Sequence, residues 1–111
     1  MAKILITGCN GFVGKNLVKF FSNSGNSVFG LGRQDSPNGE YDIIINCAAE
    51  IHNSSMEEMY RSNVNLTFDL ITKCKYKKFI QIGSSSEYGN GIKDGPFDLY
   101  SGTKAAATCL V

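Results

Sequence analysis

The segment Lys3-Ile4-Leu5-Ile6-Thr7-Gly8-Cys9-Asn10-Gly11-Phe12-Val13-Gly14 decides the fold. Its first part is a short apolar run rich in β-branched residues, which is typical of a strand buried on both faces. Three glycines follow at the spacing Gly-x-x-Gly-x-x-Gly, and after them apolar residues recur at helical spacing at Val13, Leu17, Phe20 and Phe21. The glycines therefore lie where a strand turns directly into a helix.

A turn of this kind leaves the first N–H groups of the helix without backbone partners, at the positive end of the helix dipole. A phosphate group fits there. Gly8 permits the tight turn, Gly11 lets a pyrophosphate approach the backbone, and Gly14 lets the helix pack on the strand. The agreement of strand, glycines and helix favours a dinucleotide-binding unit over a glycine-rich hairpin or a plain strand–helix loop.

Length and composition predict one small domain, because the chain has 111 residues of which 42% are hydrophobic. A net charge of +1 gives no electrostatic reason to expect a nucleic-acid or membrane partner. We expect neither a transmembrane helix nor a secretory signal, since no suitable apolar run is present. The four cysteines include no Cys-x-x-Cys pair, so we predict no metal site, no disulfide framework and a cytoplasmic location.

The end of the second strand bears on the choice of cofactor. This strand is predicted over Ser27 to Leu31 and is followed by Gly32-Arg33 in place of an acidic residue. A carboxylate at such a position usually holds the adenosine ribose hydroxyls. A small residue followed by arginine makes room for a 2′-phosphate and supplies a bidentate donor for it. The pattern favours NADP over NAD, although Asp35 is close enough to face a ribose.

A third buried strand, around Ile43 to Ile45, ends in Asn46-Cys47-Ala48-Ala49. Ligands of parallel sheets bind outside the carboxyl ends of the strands. The small side chains of Ala48 and Ala49 would let a ligand lie against the backbone. They would also let a helix pack closely, and the two roles are compatible. We interpret the nearby His52 as a loop residue without a special role.

Three polar residues near the end of the chain predict proton-transfer chemistry. The fourth strand, Phe79 to Ile82, opens into Ser84, and a helix from about Asp98 carries Tyr100 and Lys104 one turn apart on one face. A free tyrosine has a pKa near ~10 and is a poor base at neutral pH, but a lysine ammonium one turn away stabilises a phenolate. With Ser84 bonded to the substrate oxygen, such a set moves a proton at a hydroxyl or carbonyl while a nicotinamide exchanges hydride.

Taken together, these motifs resemble those of the extended short-chain dehydrogenase/reductases, the NAD(P)-dependent epimerase/dehydratase family that acts mainly on nucleotide sugars. Thr7 to Gly14 is similar to the family's Thr-Gly-x-x-Gly-Phe-x-Gly loop, and Ser84 to Gly89 is similar to its Ser-Ser-x-x-x-Tyr-Gly segment. Tyr100 and Lys104 match its Tyr-x-x-x-Lys. Two further matches are the strand ending in an Ala-Ala pair, at Asp42 to Ala49, and the Asn-Val-x-Gly-Thr motif, at Asn63 to Thr67 with Leu66 replacing the glycine.

The resemblance implies an α/β fold, with a Rossmann-like parallel sheet of about four strands and helices on both faces. It implies an enzyme on a nucleotide-sugar substrate, with a possible homodimer in a full-length form, and Ser84, Tyr100 and Lys104 as catalytic residues. The implied cofactor-binding residues are Gly8, Asn10, Gly11, Phe12, Val13, Gly14, Arg33, Ala48, Ala49, Asn63, Tyr100 and Lys104.

Departures from the family pattern limit what the resemblance implies. Only a short polar loop, Gln34 to Glu40, precedes the Ala-Ala strand, so the family's third sheet strand and its adenine-contacting aspartate are expected to be missing. The loop before Tyr100 is short, and the C-terminal half that supplies most of the substrate pocket is absent, which predicts one C-terminally incomplete dinucleotide-binding domain over residues 1–111. Ser85 and Ser86 stand where dehydratases carry acidic residues, which favours an epimerase or a reductase. A non-catalytic regulatory module and an inactive truncated chain remain alternatives.

Overall fold

The computed structural model describes residues 1–32, 35–49 and 55–111. Four strands form one parallel sheet in the order β2-β1-β3-β4. The strands are β1 (Lys3–Thr7), β2 (Ser27–Leu31), β3 (Gly39–Asn46) and β4 (Cys74–Gln81), and helix α1 (Phe12–Asn23) joins β1 to β2. This arrangement confirms the predicted α/β fold with a Rossmann-like parallel sheet. Arg33 and His52 lie outside the described residues.

The central strand β1 forms the core of the sheet. Its residues from Ile4 to Thr7 are buried, and Leu5 pairs with Phe29 on β2 and with Ile44 on β3. Ile4, Ile6 and Ile45 form the buried cluster against which α1 places Leu17, Val18 and Phe21. Full burial of one such side chain stabilises the fold by about 1.5–3 kcal/mol, which explains why the apolar run specifies this strand.

A carboxylate on β3 joins both neighbouring strands near the other end of the sheet. Asp42 Oδ2 accepts the N–H of Lys3 at 2.7 Å, and Asp42 Oδ1 lies 3.3 Å from the ammonium of Lys77. The hydrogen bond from Lys3 and the contact with Lys77 hold the pKa of Asp42 below its usual value. Lys3 in turn lies over the rings of Phe29 and Tyr41, at 5.2 and 5.0 Å from their centroids.

The chain turns within a few residues after α1. The stretch Ser22-Asn23-Ser24-Gly25-Asn26 predicts a helix stop with a glycine cap. α1 ends there, since Gly25 has φ +82° and the N–H of Asn26 donates to Phe21 O at 3.2 Å. β3 begins at Gly39, a few residues along the chain from Leu31 at the end of β2. In the described part of the chain no further strand pairs with β2.

The chain divides into two compact units, residues 1–48 with 69–82 and residues 49–68 with 83–111. The first holds the sheet and α1. The second holds α2 (Met56–Tyr60), a π-helical turn (Arg61–Asn65), the start of α3 (Leu66–Lys73), a 3₁₀ turn (Ser85–Tyr88) and α4 (Leu99–Leu110). Within the described ranges, no helix is both long and apolar enough to cross a membrane.

The sequence also favours a long helix from about Met56 to Lys75, and the structure has contiguous helical turns from Met56 to Lys73. The π turn replaces regular α-helix at its centre, and the helix ends at Lys73 because the next residues belong to β4. Cys74 pairs with Gly39 and Lys75 with Glu40, so sheet pairing overrides the local helical pattern there.

The interior of the second unit is mainly polar. Its helices begin at capping side chains, since Ser55 Oγ accepts the N–H of Glu58 at 3.2 Å and Asp98 Oδ1 accepts the N–H of Ser101 at 2.8 Å. α4 contacts α2, the π turn and the 3₁₀ turn. Among the described residues of this unit, the buried side chains other than those of Met59 and Ala107 are polar, namely those of Asn63, Thr67, Glu87, Ser101, Thr103 and Lys104.

Candidate active site

The glycine loop between β1 and α1 disfavours side chains at two positions. Gly8 has φ +62°, and a Cβ there would lie 3.0 Å from the backbone N and Cα of Ala48. A Cβ at Gly14 would lie 2.0 Å from Gly8 O. Gly8 therefore makes the tight turn that the sequence predicts, while Gly14 allows the helix to pack closely on the loop itself.

The start of α1 fits a phosphate. Its N-cap is Gly11, no side chain caps the helix, and its first turn contains no acidic residue. By contrast, Ser55 and Asp98 cap α2 and α4. The first-turn N–H groups of α1 and its positive dipole end thus face no capping side chain, which suits the pyrophosphate of a dinucleotide. The loop residues Asn10, Gly11, Phe12 and Val13 are exposed.

The buried hydroxyl of Thr7, at the end of β1 next to the glycine loop, belongs to a hydrogen-bond network that connects the ends of β1, β3 and β4. Thr7 Oγ1 donates to Asn46 Oδ1 at 2.5 Å and accepts the N–H groups of Cys47 and Ala48, both at 3.1 Å. Asn46 Nδ2 donates to Gln81 Oε1 at 2.9 Å. A hydroxyl has one proton and two lone pairs, so these three contacts use all of them. The network holds Ala48 against Gly8, and the only sequence signal for it is a polar residue at the end of each apolar strand.

Replacing Thr7 by valine keeps the shape of the side chain but removes this hydroxyl. We expect the free energy of unfolding to fall by about 2–3 kcal/mol, because buried polar groups lose their partner. Unfolding in urea measures this change in the free energy of unfolding. Thr108→Val, at an exposed threonine of α4, is the matched control and should change stability by less than about 0.5 kcal/mol. Equal losses in the two variants would contradict the role of the network.

The end of β2 carries a carboxylate that is bound to the backbone. Asp35 Oδ2 accepts the N–H of Gly32 at 2.9 Å, and the N–H of Asp35 donates to Gly32 O at 3.2 Å. A negative charge is therefore held near the carboxyl end of this strand. Binding of a 2′-phosphate by Arg33 stays a prediction, since that residue lies outside the described ranges.

Ser84 lies three residues beyond β4 and caps the 3₁₀ turn. Its Oγ accepts the N–H of Ser86 at 3.2 Å and lies 2.7 Å from Ser86 Oγ. Its own N–H donates to Glu87 Oε2 at 2.6 Å. A Cβ at Gly83 would lie 2.7 Å from that same carboxylate oxygen. The backbone and the hydroxyl of Ser84 are thus both fixed by neighbours within the segment.

Tyr100 and Lys104 lie in the first turns of α4. Tyr100 is half-buried at the second position of the helix. Lys104 follows one turn later with only 3% of its surface exposed. Lysine is almost never buried to this extent unless it is paired. The two side chains therefore offer a phenol and a buried ammonium from one short stretch of helix.

A hydrogen-bonded chain connects the π turn to this stretch of α4. Asn63 Nδ2 donates to Thr103 Oγ1 at 3.0 Å, and Thr103 Oγ1 donates to the carbonyl of Tyr100 at 2.9 Å. Asn63 is 1% and Thr103 5% exposed. Single π turns often occur at functional sites. The sequence did not single out Thr103, although a hydroxyl three residues after Tyr100 can reach back to that carbonyl.

The predicted site residues fall into both compact units. Gly8, Gly14 and Ala48 belong to the first, and Ala49, Asn63, Ser84, Tyr100 and Lys104 belong to the second. Within the described residues, no group of three or more His, Cys, Asp or Glu side chains could hold a metal ion.

Comparison with known proteins gives a family match over nearly the whole chain. The model of the NAD dependent epimerase/dehydratase family matches residues 4–41 and 36–109. A curated relative, the low-salt glycan biosynthesis protein Agl12 of Haloferax volcanii, is 30% identical over 156 aligned positions, which cover 97% of this chain. Because this chain has 111 residues, Agl12 has internal stretches that this chain lacks.

Two solved structures share the fold. One is the UDP-glucuronic acid 4-epimerase from Bacillus cereus in complex with NAD, with TM-score 0.79, 22% identity and 97% of this chain covered. The other is RMD from Pseudomonas aeruginosa complexed with NADPH, with TM-score 0.69, 18% identity and 97% coverage. This chain spans 50% of Agl12, 50% of the epimerase and 47% of RMD, so it corresponds to about half of each protein.

Proposed function

The chain belongs to the NAD dependent epimerase/dehydratase family, and on that premise we propose that it acts in the NAD(P)-dependent conversion of a nucleotide sugar. NAD(P), when bound, supplies the hydride acceptor or donor. Gly8, Gly11 and Gly14 hold its pyrophosphate at the start of α1, where no side chain caps the helix. The epimerase of known structure is named for UDP-glucuronic acid, which supports a sugar attached to a nucleoside diphosphate as the substrate class.

Each of the three polar side chains has one task in this proposal. Tyr100 exchanges a proton with the reacting hydroxyl, Lys104 stabilises the phenolate with its ammonium, and the hydroxyl of Ser84 donates a hydrogen bond to the reacting oxygen. The Asn63–Thr103 contact fixes the backbone carbonyl of Tyr100 and so sets the position of the helix that carries the phenol.

The burial of Lys104 is the observation that carries the proposal. A lysine with 3% exposure costs desolvation free energy that an apolar residue would not. Because Lys104 lies one turn after a half-buried tyrosine, a role in acid–base catalysis accounts for its burial. A regulatory module that only senses the cofactor needs neither side chain.

An epimerase or a reductase fits the local chemistry better than a dehydratase. Ser85 and Ser86 occupy the positions of the dehydratase acids, and neither can protonate a leaving hydroxyl group. Glu87 is buried, and its Oε2 accepts the N–H of Ser84 at 2.6 Å. The Glu87 carboxylate is thus engaged in a hydrogen bond to the backbone of the 3₁₀ turn.

For the cofactor we propose NADP, on the basis of Gly32-Arg33 at the end of β2. Asp35 is the alternative determinant, because its carboxylate lies at the same strand end and would favour a ribose hydroxyl over a phosphate.

The homodimer also remains a prediction. It is supported by an apolar stripe on the exposed side of the helical segment, with Met56 66%, Tyr60 51% and Phe68 53% exposed.

Thermal unfolding with NADPH, NADP, NADH and NAD tests the cofactor site. At about 100 times its dissociation constant, a bound cofactor should add about 2.7 kcal/mol of stability. We expect NADPH and NADP to stabilise selectively, Arg33→Gln to remove this selectivity and the matched variant Asp35→Asn to keep it. Selective stabilisation by NAD that is lost in Asp35→Asn would overturn the NADP assignment. If none of the four cofactors raises the thermal midpoint, the proposal that the chain binds a cofactor is overturned.

Turnover tests the enzyme itself. The chain is incubated with UDP-glucuronic acid or UDP-glucose and each cofactor, with the reduced nicotinamide followed by absorbance and the sugar by NMR. We expect a change at one carbon of the sugar, by epimerisation or reduction. Cofactor binding without any sugar conversion would instead support the regulatory module.

A further inference from the structure

The hydroxyl of Ser84 has a second hydroxyl as its neighbour. Ser84 Oγ lies 2.7 Å from Ser86 Oγ, and it also accepts the backbone N–H of Ser86 at 3.2 Å. Both residues are half-buried. The other serine of the segment, Ser85, is exposed. Ser86 therefore contacts the Ser84 hydroxyl twice, through its backbone N–H and through its own hydroxyl.

The inventory of hydrogen-bonding groups limits what Ser84 can offer to a ligand. A serine hydroxyl has one proton and two lone pairs. The backbone N–H of Ser86 occupies one lone pair. If Ser86 Oγ donates its proton to the second lone pair, both are used and the proton of Ser84 is left for another partner. If Ser84 donates to Ser86 instead, it can only accept from a ligand.

We propose that Ser86 is a positioning residue that keeps Ser84 as a hydrogen-bond donor to the reacting oxygen of the sugar. This inference rests on the proposed function. In that reaction the substrate hydroxyl gives its proton to Tyr100, and the carbonyl that results has no proton to give. Ser84 must therefore donate on both sides of the hydride transfer. A donor hydroxyl that itself accepts a hydrogen bond is also more strongly polarised.

The surrounding turn keeps the two hydroxyls in register. The N–H of Glu87 donates to Ser84 O at 3.1 Å, while the carboxylate of Glu87 accepts the N–H of Ser84. These contacts do not involve the Ser86 side chain. Ser86→Ala therefore deletes the hydroxyl pair alone and leaves the backbone cap on Ser84 Oγ in place.

The test compares Ser86→Ala, Ser86→Thr and the control Ser85→Ala, measuring kcat and KM for the sugar conversion and the thermal midpoint of each variant. We expect Ser86→Ala to lower kcat about tenfold, the equivalent of one hydrogen bond, with KM and the thermal midpoint nearly unchanged. Ser86→Thr keeps a hydroxyl and should restore kcat, and Ser85→Ala should match the unsubstituted chain.

Several outcomes would overturn the inference. A Ser86→Ala variant as active as Ser85→Ala, or a Ser86→Thr variant no better than Ser86→Ala, would show that the second hydroxyl has no part in the reaction. Loss of kcat in Tyr100→Phe together with full activity in Ser86→Ala would refute the role of Ser86 and leave the proposed function standing. An inactive unsubstituted chain would contradict the proposed function and this inference with it.

Discussion

Replacing Gly14 by alanine should lower the free energy of unfolding by about 3 kcal/mol or more and abolish cofactor binding. A Cβ at this position would lie 2.0 Å from the carbonyl oxygen of Gly8 and 2.7 Å from its carbonyl carbon, and both neighbours are backbone atoms that cannot rotate away. The loop or the first turn of α1 must therefore move, and either shift displaces the N–H groups that would hold the pyrophosphate.

Gly102→Ala is the matched control, because Gly102 is also a helical glycine and a Cβ there meets no atom within 4 Å. Alanine at this position should raise stability by about 0.5–1 kcal/mol through helix propensity. Urea unfolding of the two variants and thermal shifts with the cofactor measure both effects. A Gly14→Ala variant that is as stable as Gly102→Ala would show that the loop accommodates a side chain.

The sequence predicted the elements that depend on local patterns. The apolar run of β1, the glycine turn and the amphipathic α1 follow one another within the first 23 residues, and each has its own periodicity or stereochemical requirement. The glycine cap at Gly25 and the start of α4 after Asp98 were predictable for the same reason, since a residue that caps a helix acts on backbone groups only a few positions away.

The remaining features depend on contacts between distant residues. The π turn carries Asn63, whose partner Thr103 is 40 positions along the chain. The Thr7–Asn46–Gln81 network requires the register of three strands, which periodicity alone does not supply. β4 begins at Cys74 because it pairs with Gly39, whereas the lysines that follow look locally like a helix end. The residues assigned to catalysis were identified by their spacing, but the hydroxyl pair at Ser84 and Ser86 could be seen only in the folded turn.

Tyr100→Phe should lower the rate of sugar conversion by about 10²–10⁴-fold, the usual contribution of a positioned acid–base group. Because it removes only one of the predicted cofactor contacts and leaves the glycine loop unchanged, it should weaken cofactor binding far less than it lowers the rate. The substitution removes only the phenolic hydroxyl. The backbone carbonyl of Tyr100 still accepts the hydrogen bond from Thr103, and the capping box of Asp98 and Ser101 is unaffected, so we expect α4 to keep its structure.

Tyr88→Phe is the control for this variant, because the side chain of Tyr88 is 79% exposed and has no assigned role. Rates and cofactor-induced thermal shifts are measured for both. If Tyr100→Phe loses turnover while Tyr88→Phe keeps it, the proton passes through Tyr100, and the burial of Lys104 beside it is explained by catalysis. If the two variants convert the sugar equally well, the phenol is not the acid–base group, and the buried lysine must be explained by the packing of the polar interior around Asn63 and Thr103.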